Sequence, residues 1–362
     1  MKIGSNCFCD ASLKSIVSTL NNLGECDITH LEKQYIYDTE INNELVPYLE
    51  QILEIFSPVN SLTKKDDIKQ NSDYVYNILE KWNIFSVPAK DIKKILIAIC
   101  SSKFQDDNRL FSEKVMIPEI LNDKYMEEYS ILKTNSWQDF CYDIKHRNRF
   151  HSAEINTNQL KELLKFFELK FSENTLSLFR ARVCDSSHYD IGFQKDDDLK
   201  APPEDIATAG RINSAGVPCL YLANSEVTTY HEVRARIYDH ITVGQFINIK
   251  SLKIIDLSNL DTISPFNFED IDFTWFAINI ESIRQIAKEI TRPMRRFDKE
   301  IDYIPTQYIS DYIKSLGYDG IKYKSTLNAD GINYAIFNTE KFECINKKQV
   351  NVENISFEIK NI

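Results

Sequence analysis

Leu176-Ser177-Leu178-Phe179-Arg180-Ala181-Arg182-Val183 is where the pattern of the chain changes. Apolar and polar residues alternate here, as in a strand with one wet face. Upstream the period is near 3.6. Ala11 to Leu23 places Leu13, Ile16, Val17 and Leu20 at helical spacing, and Glu44 to Phe56 does the same with Leu45, Leu49, Ile52, Leu53 and Phe56. Helices are also predicted over 72–82, 91–99, from Ser136, and over 159–168. Downstream the alternation recurs over 217–223, 242–249, 252–257, 321–323 and 334–337, with helices at about 225–237, 281–291 and 306–316. The polar stretch 185–209 reads as a long loop, either a lid or a connection without fixed structure. The fold class predicted is α+β: an all-helical domain over 1–165, then a mixed β-sheet domain with flanking helices over 170–350.

Composition agrees with two globular domains. The chain has 362 residues, 43% hydrophobic and 27% charged. Its net charge is −11; residues 1–170 carry 21 basic and 26 acidic side chains, and residues 171–362 carry 22 and 28. Neither half is a basic module, so nucleic acid is not expected as a ligand, and an anionic substrate must be caught by a few placed arginines. The longest apolar run, Ile95 to Ile99, is far short of a membrane span, and no signal-peptide stretch opens the chain, so a cytoplasmic protein is expected. The eight cysteines are read as buried thiols.

No two glycines stand in a G-x-G spacing, and there is no Gly-Lys-Ser/Thr, H-E-x-x-H or G-x-S-x-G. Dinucleotide turns, P-loops, zincins and nucleophile elbows are therefore unsupported. The stretch that draws chemistry is 209–236. Arg211 sits in a turn flanked by Gly210 and Gly216, Tyr221 in an apolar strand ten residues on, and Glu232 on a helix after eleven more. Three polar residues on consecutive elements can meet in one cleft. A surface arginine, a bonded core tyrosine and a solvated glutamate would give the same spacing.

This stretch resembles the RES domain, the toxin half of bacterial Xre–RES toxin–antitoxin pairs. Phe179-Arg180-Ala181-Arg182 resembles its opening strand. Ala201-Pro202-Pro203 and Ala209-Gly210-Arg211-Ile212-Asn213 resemble its loop. Pro305-Thr306-Gln307-Tyr308-Ile309 and Gly317-Tyr318-Asp319-Gly320-Ile321-Lys322-Tyr323-Lys324-Ser325 resemble its last helix and strand. The resemblance covers about 175–340. It implies an ADP-ribosyltransferase-like fold and NAD+ glycohydrolase activity, in a toxin or phage-defence effector that depletes NAD+; protein ADP-ribosylation at the same site is the alternative. Arg211, Tyr221, Glu232 and Ser325 take the catalytic positions. Arg180, Arg182 and Asn213 join Arg211 and Tyr221 in holding NAD+, which is substrate rather than resident cofactor. An antitoxin or other regulatory protein and a homodimer are the implied partners.

The chemistry suits these residue types. Arginine presents a planar fork of donors to pyrophosphate oxygens. An aromatic ring stacks on cationic nicotinamide. A carboxylate stabilises the oxocarbenium-like centre left when the nicotinamide–ribose bond breaks. His231 adjoins Glu232, but neighbours on a helix point about 100° apart, so no joint role is expected. Arg292, Arg295 and Arg296 read as a solvated face.

The first half resembles the helical HEPN/RES N-terminal domain, through Cys7-Phe8-Cys9-Asp10-Ala11-Ser12-Leu13, Gly24-Glu25-Cys26-Asp27, and Trp137 with Lys145-His146-Arg147-Asn148-Arg149-Phe150. Relatives carry two C-x-x-C pairs there. Here Gly4 and Thr29 stand in place of two cysteines. Cys7, Cys9, Cys26 and His30 make a poor zinc set, and neither zinc nor another metal is expected. Arg147 to His151 is one residue short of the HEPN R-x4-6-H motif, so an RNA-binding or RNase module beside a degenerate RES domain is the remaining alternative.

Overall fold

The computed structural model describes residues 1–62, 72–133, 136–258, 264–267, 272–292 and 299–356. The chain forms two compact units, and it enters the first one twice: residues 1–133 with 262–281, and residues 134–261 with 282–362.

The first unit is not all helical. Its elements are β1 (Lys2–Gly4), α1 (Ala11–Thr19), β2 (Leu23–Gly24), β3 (Gln34–Asp38), α2 (Val46–Glu54), β4 (Ser57–Pro58), α3 (Val75–Lys81), α4 (Ala89–Ile99), α5 (Ser101–Asp106), α6 (Arg109–Ser112), β5 (Val115–Met116) and α7 (Asp123–Tyr129). Strands β1, β3 and β2 form a three-stranded sheet, and β4 pairs with β5. The correction has a simple cause. Gln34-Tyr35-Ile36-Tyr37-Asp38 is rich in aromatic and β-branched residues, and it pairs on both sides with segments too short to show a period of two. The helices nonetheless follow the predicted stripes: Leu13 and Val17 on α1, Leu49, Ile52 and Leu53 on α2, and Ile92, Ile95, Leu96 and Ile99 on α4 are buried.

The second unit contains α8 (Trp137–His146), α9 (Thr157–Lys165), β6 (Glu168–Phe171), β7 (Ser177–Val183), β8 (Leu220–Ala223), α10 (Glu226–Glu232), β9 (His240–Asn248) and β10 (Leu252–Asp256). After α11 (Phe273–Thr291), inside which the division of units falls, come α12 (Glu300–Ser315), β11 (Gly320–Lys324), β12 (Ile332–Ile336) and β13 (Phe342–Asn351). Helices α8 and α9, assigned above to the N-terminal domain, group with this unit. Phe140 of α8 meets Tyr308 of α12 edge to face, and Lys145 pairs with Asp302 at 3.1 Å. Of the basic cluster, Arg292 pairs with Glu289, whereas Arg295 and Arg296 lie outside the described residues.

The eight strands form one mixed sheet in the order β13-β9-β7-β8-β12-β11-β10-β6. Every pair is antiparallel except β10 with β11. Because side chains alternate across a strand, the register sorts residues onto two faces. Leu178, Leu220, Leu222, Phe246, Ile254, Tyr334 and Ile336 share one buried face. On the other, Ala181, Ile241 and Val243 pack with Tyr230 and Val233 of the α10 region. Pairing of Ala335 with Tyr221, and of Asn333 with both Ala223 and Tyr323, puts Tyr221, Tyr323 and Asn333 on that second face.

The 185–209 segment is an anchored loop. Phe193 and Leu199 are buried in the first face, Phe193 N–H donates to Thr242 Oγ1 at 3.0 Å, and the His188 ring stacks on Phe193 at 4.2 Å.

Candidate active site

Helix α10 delivers the glutamate. Ser225 caps it by accepting the Thr228 N–H at 3.2 Å, which places Glu232 at its far end. There Ser325 Oγ and Asn333 Nδ2 both donate to Glu232 Oε1, each at 2.7 Å. Ser325 closes the turn between β11 and β12, its N–H donating to Gly331 O at 2.8 Å. Gly331 is required by close approach: a Cβ there would stand 2.8 Å from both Ser325 Cβ and Thr228 Cγ2. Two neutral donors on one oxygen hold an exposed carboxylate in a single orientation.

The arginine loop is built differently. Its carbonyls are held by one face of α12. Thr306 Oγ1 donates to Arg211 O at 2.7 Å, Gln307 Nε2 to Gly210 O at 2.7 Å and Asn213 O at 3.1 Å, and Ser310 Oγ to Ile212 O. Asn213 is buried; its Nδ2 donates to the carbonyls of Thr208, Ser214 and Val217, and its Oδ1 accepts from Tyr221 at 2.7 Å. Asn213 therefore shapes the loop from within. Gly210 lets the loop close on it, since a Cβ there would lie 2.5 Å from Asn213 Oδ1 and 2.8 Å from the Tyr221 hydroxyl. The Arg211 guanidinium lies over the Tyr303 ring, 5.9 Å from its centroid.

Tyr323, which the sequence reading did not single out, feels the charges of both halves. Burial drives its phenol far above the ordinary value, and the negative charge of Glu232 adds to this, while Arg211 pulls the other way. Tyr221 is also pushed well up, first by burial, with Cys219 and Tyr323 adding. Both phenols stay protonated, as donors, at any physiological pH. The signal for Tyr323 was its place two residues before Ser325 on an alternating strand.

The two arginines of β7 part ways. Arg182 is committed to the 185–209 loop: its Nη1 donates to Asp198 O at 2.6 Å, and its guanidinium covers the Phe193 ring at 4.3 Å. Arg180 Nη1 is buried with no hydrogen-bond partner among the described residues. Burial, and then the charge of Arg182, lower its pKa to about 10; Cys219 and Tyr221 are its other electrostatic neighbours. A buried cation with one donor group short of an acceptor is what an anionic ligand would complete.

Arg147 of the short R-x3-H motif lies over the Tyr142 ring at 5.1 Å, and the His151 backbone is bonded to the Asn148 side chain. Among the described residues no three His, Cys, Asp or Glu side chains are grouped to hold a metal, and no helix is long and apolar enough to cross a membrane.

No curated protein matches the chain. Among solved structures, the M. tuberculosis MbcT–MbcA toxin–antitoxin complex is similar, with a TM-score of 0.33 and 14% identity, over 51% of this chain and 87% of that one. The model of the RES domain matches residues 177–358, from the first residue of β7 to beyond β13 and around every residue of the cleft. With half of its length in that match, the chain belongs to the RES domain family.

Proposed function

We propose that the protein is an NAD+ glycohydrolase. The observation that carries this reading is Glu232, exposed and clamped through Oε1 by Ser325 and Asn333. A carboxylate fixed in this way can face the ribose carbon that loses nicotinamide. The C–N bond breaks with its electron pair going to nicotinamide, and C1′ takes on oxocarbenium character. Oε2 stabilises that charge and accepts a proton from the water that attacks C1′. The products are nicotinamide, ADP-ribose and a proton. Nicotinamide is a good leaving group, so no general acid is needed.

The anionic end of the substrate has its own donors. Arg180 brings a buried guanidinium whose Nη1 lacks an acceptor, and the Arg211 loop is rigid enough to present its side chain to pyrophosphate. Tyr221, fixed by Asn213, offers a ring to nicotinamide. Arg182 and Asn213 act one step back, on the loops. Membership of the RES family supports a toxin that consumes NAD+ until an antitoxin restrains it.

The test is nicotinamide release from NAD+ by the full chain, beside Glu232→Gln and Arg211→Ala. Release is expected from the parent, with a loss of about 10²–10³-fold in each folded variant. Free ADP-ribose identifies water as acceptor; a labelled protein adduct would turn the reading to ADP-ribosyl transfer. Undiminished release by Glu232→Gln would overturn the assignment.

A further inference from the structure

The first unit contains a pair of thiols that the cleft does not use. Cys7 Sγ and Cys26 Sγ are 3.5 Å apart, and both residues are fully buried. Cys26 sulfur also accepts the Gly4 N–H at 3.1 Å. Its surroundings differ from those of the other buried cysteines. Burial raises its pKa, but hydrogen bonds from the Thr29 side chain and from the backbones of Thr29, Gly4 and Ile28 outweigh it, so the net shift is downward. Burial pushes Cys7, Cys100, Cys141 and Cys219 up to about 12. Cys26 is thus the thiol built to carry negative charge, and Cys7 the neighbour that keeps its proton.

We propose that Cys7 and Cys26 are an oxidisable dithiol, converted by a peroxide into an intramolecular disulfide. Cys26 Sγ, as thiolate, attacks one peroxide oxygen and the O–O bond breaks. The hydroxide released takes up the Cys26 proton to give water, and Cys26 becomes a sulfenic acid. Cys7 Sγ then attacks the Cys26 sulfur. The S–O bond breaks, and hydroxide leaves with the Cys7 proton as a second water. Two thiols give up two electrons, one peroxide accepts them, and one disulfide forms. The sulfurs are already in contact at 3.5 Å, so the closing step needs a shift of about 1.5 Å to reach a bonded S–S distance of ~2.05 Å. With both sulfurs buried, a peroxide must enter by local opening, and β1, a three-residue edge strand that ends at Gly4, is the element next to the pair. The product ties the loop between residues 7 and 26 to that edge.

The experiment titrates the full chain with hydrogen peroxide, alkylates the remaining thiols and maps the peptides. Two of the eight thiols should disappear first, with the Cys7 peptide linked to the Cys26 peptide, before Cys100, Cys141 and Cys219 react. Dithiothreitol should restore all eight. Cys9→Ser should retain the link. Cys7→Ser should leave Cys26 as a sulfenic acid trapped by dimedone, and the mapping of the parent stands whether or not this variant folds. A first loss at another cysteine, a link through Cys9, or no link at any peroxide concentration that leaves the chain folded would overturn the proposal. So would one equivalent of bound zinc that shields both thiols. None of these outcomes bears on nicotinamide release.

Discussion

Two loops of the second unit are held in opposite ways. The loop of residues 185–199 is anchored by burying Phe193 and Leu199 in a core face, with Arg182 laid over the Phe193 ring. The loop that carries Arg211 also buries Ile212 and Asn213, but here three side chains of α12 donate to its carbonyls in succession. Apolar anchoring is strong but tolerant of position, since dispersion and burial have no preferred direction. Hydrogen bonds to consecutive carbonyls are weaker in total and fix orientation. The first device holds a loop down; the second aims it.

That contrast can be broken by substitution. The largest effect is expected from Leu199→Ala, which should lower unfolding free energy by about 2–5 kcal/mol while activity per folded molecule stays within about twofold. Chemical denaturation beside single-turnover kinetics checks both halves. A large loss of activity in folded Leu199→Ala would erase the distinction between the loops.

Gln307→Ala comes next. It removes the donor to two loop carbonyls, so about 1–3 kcal/mol of stability should be lost. Nicotinamide release should fall further, about 10–100-fold, because Arg211 loses its aim. The expected signature is a fall in kcat/KM that the change in folded fraction does not explain.

Arg180→Met sharpens the comparison from a third side. The folded-state pKa of about 10 lies below the ordinary 12.5, so the charged side chain opposes folding at neutral pH, and that cost fades as pH rises past about 10. Methionine at this position should raise Tm in buffer. Pyrophosphate should raise Tm of the parent and leave that of the variant unchanged.

The smallest effect belongs to Asp185, at the start of the apolar-anchored loop. The Ser187 hydroxyl, and then His188, hold its carboxyl well below the ordinary value. Its contribution is therefore present above the ordinary carboxylate value of ~3.9 and is lost as pH falls below it. The group is fully exposed, so Asp185→Asn should leave the urea midpoint at pH 7 unchanged within error.

The same contrast explains what could be read from sequence. The strands at 177–183, 240–248 and 252–256 were legible because polar residues interleave with apolar ones along each, and the helix at 226–232 was legible between two of them. Strand β3 was missed because its partners span two and three residues, too few for a period. Asn333 and Tyr323 were missed because their roles lie in a cross-strand register that composition does not encode. Thr306 and Gln307 stood in a quoted motif and Ser310 just past its end, yet their task depends on a loop about 95 residues away in the chain. Polar contacts between distant segments leave no periodic trace.

The clamp on Glu232 also sets a clock. Ser325 and Asn333 follow the glutamate by 93 and 101 residues, so they are synthesised well after it. At ~5–20 residues per second, the carboxylate emerges ~5–20 s before the donors that orient it. Under the function proposed above, a nascent chain would be harmless to the cell's dinucleotide throughout that interval. An antitoxin of the proposed kind would have the same interval in which to be waiting.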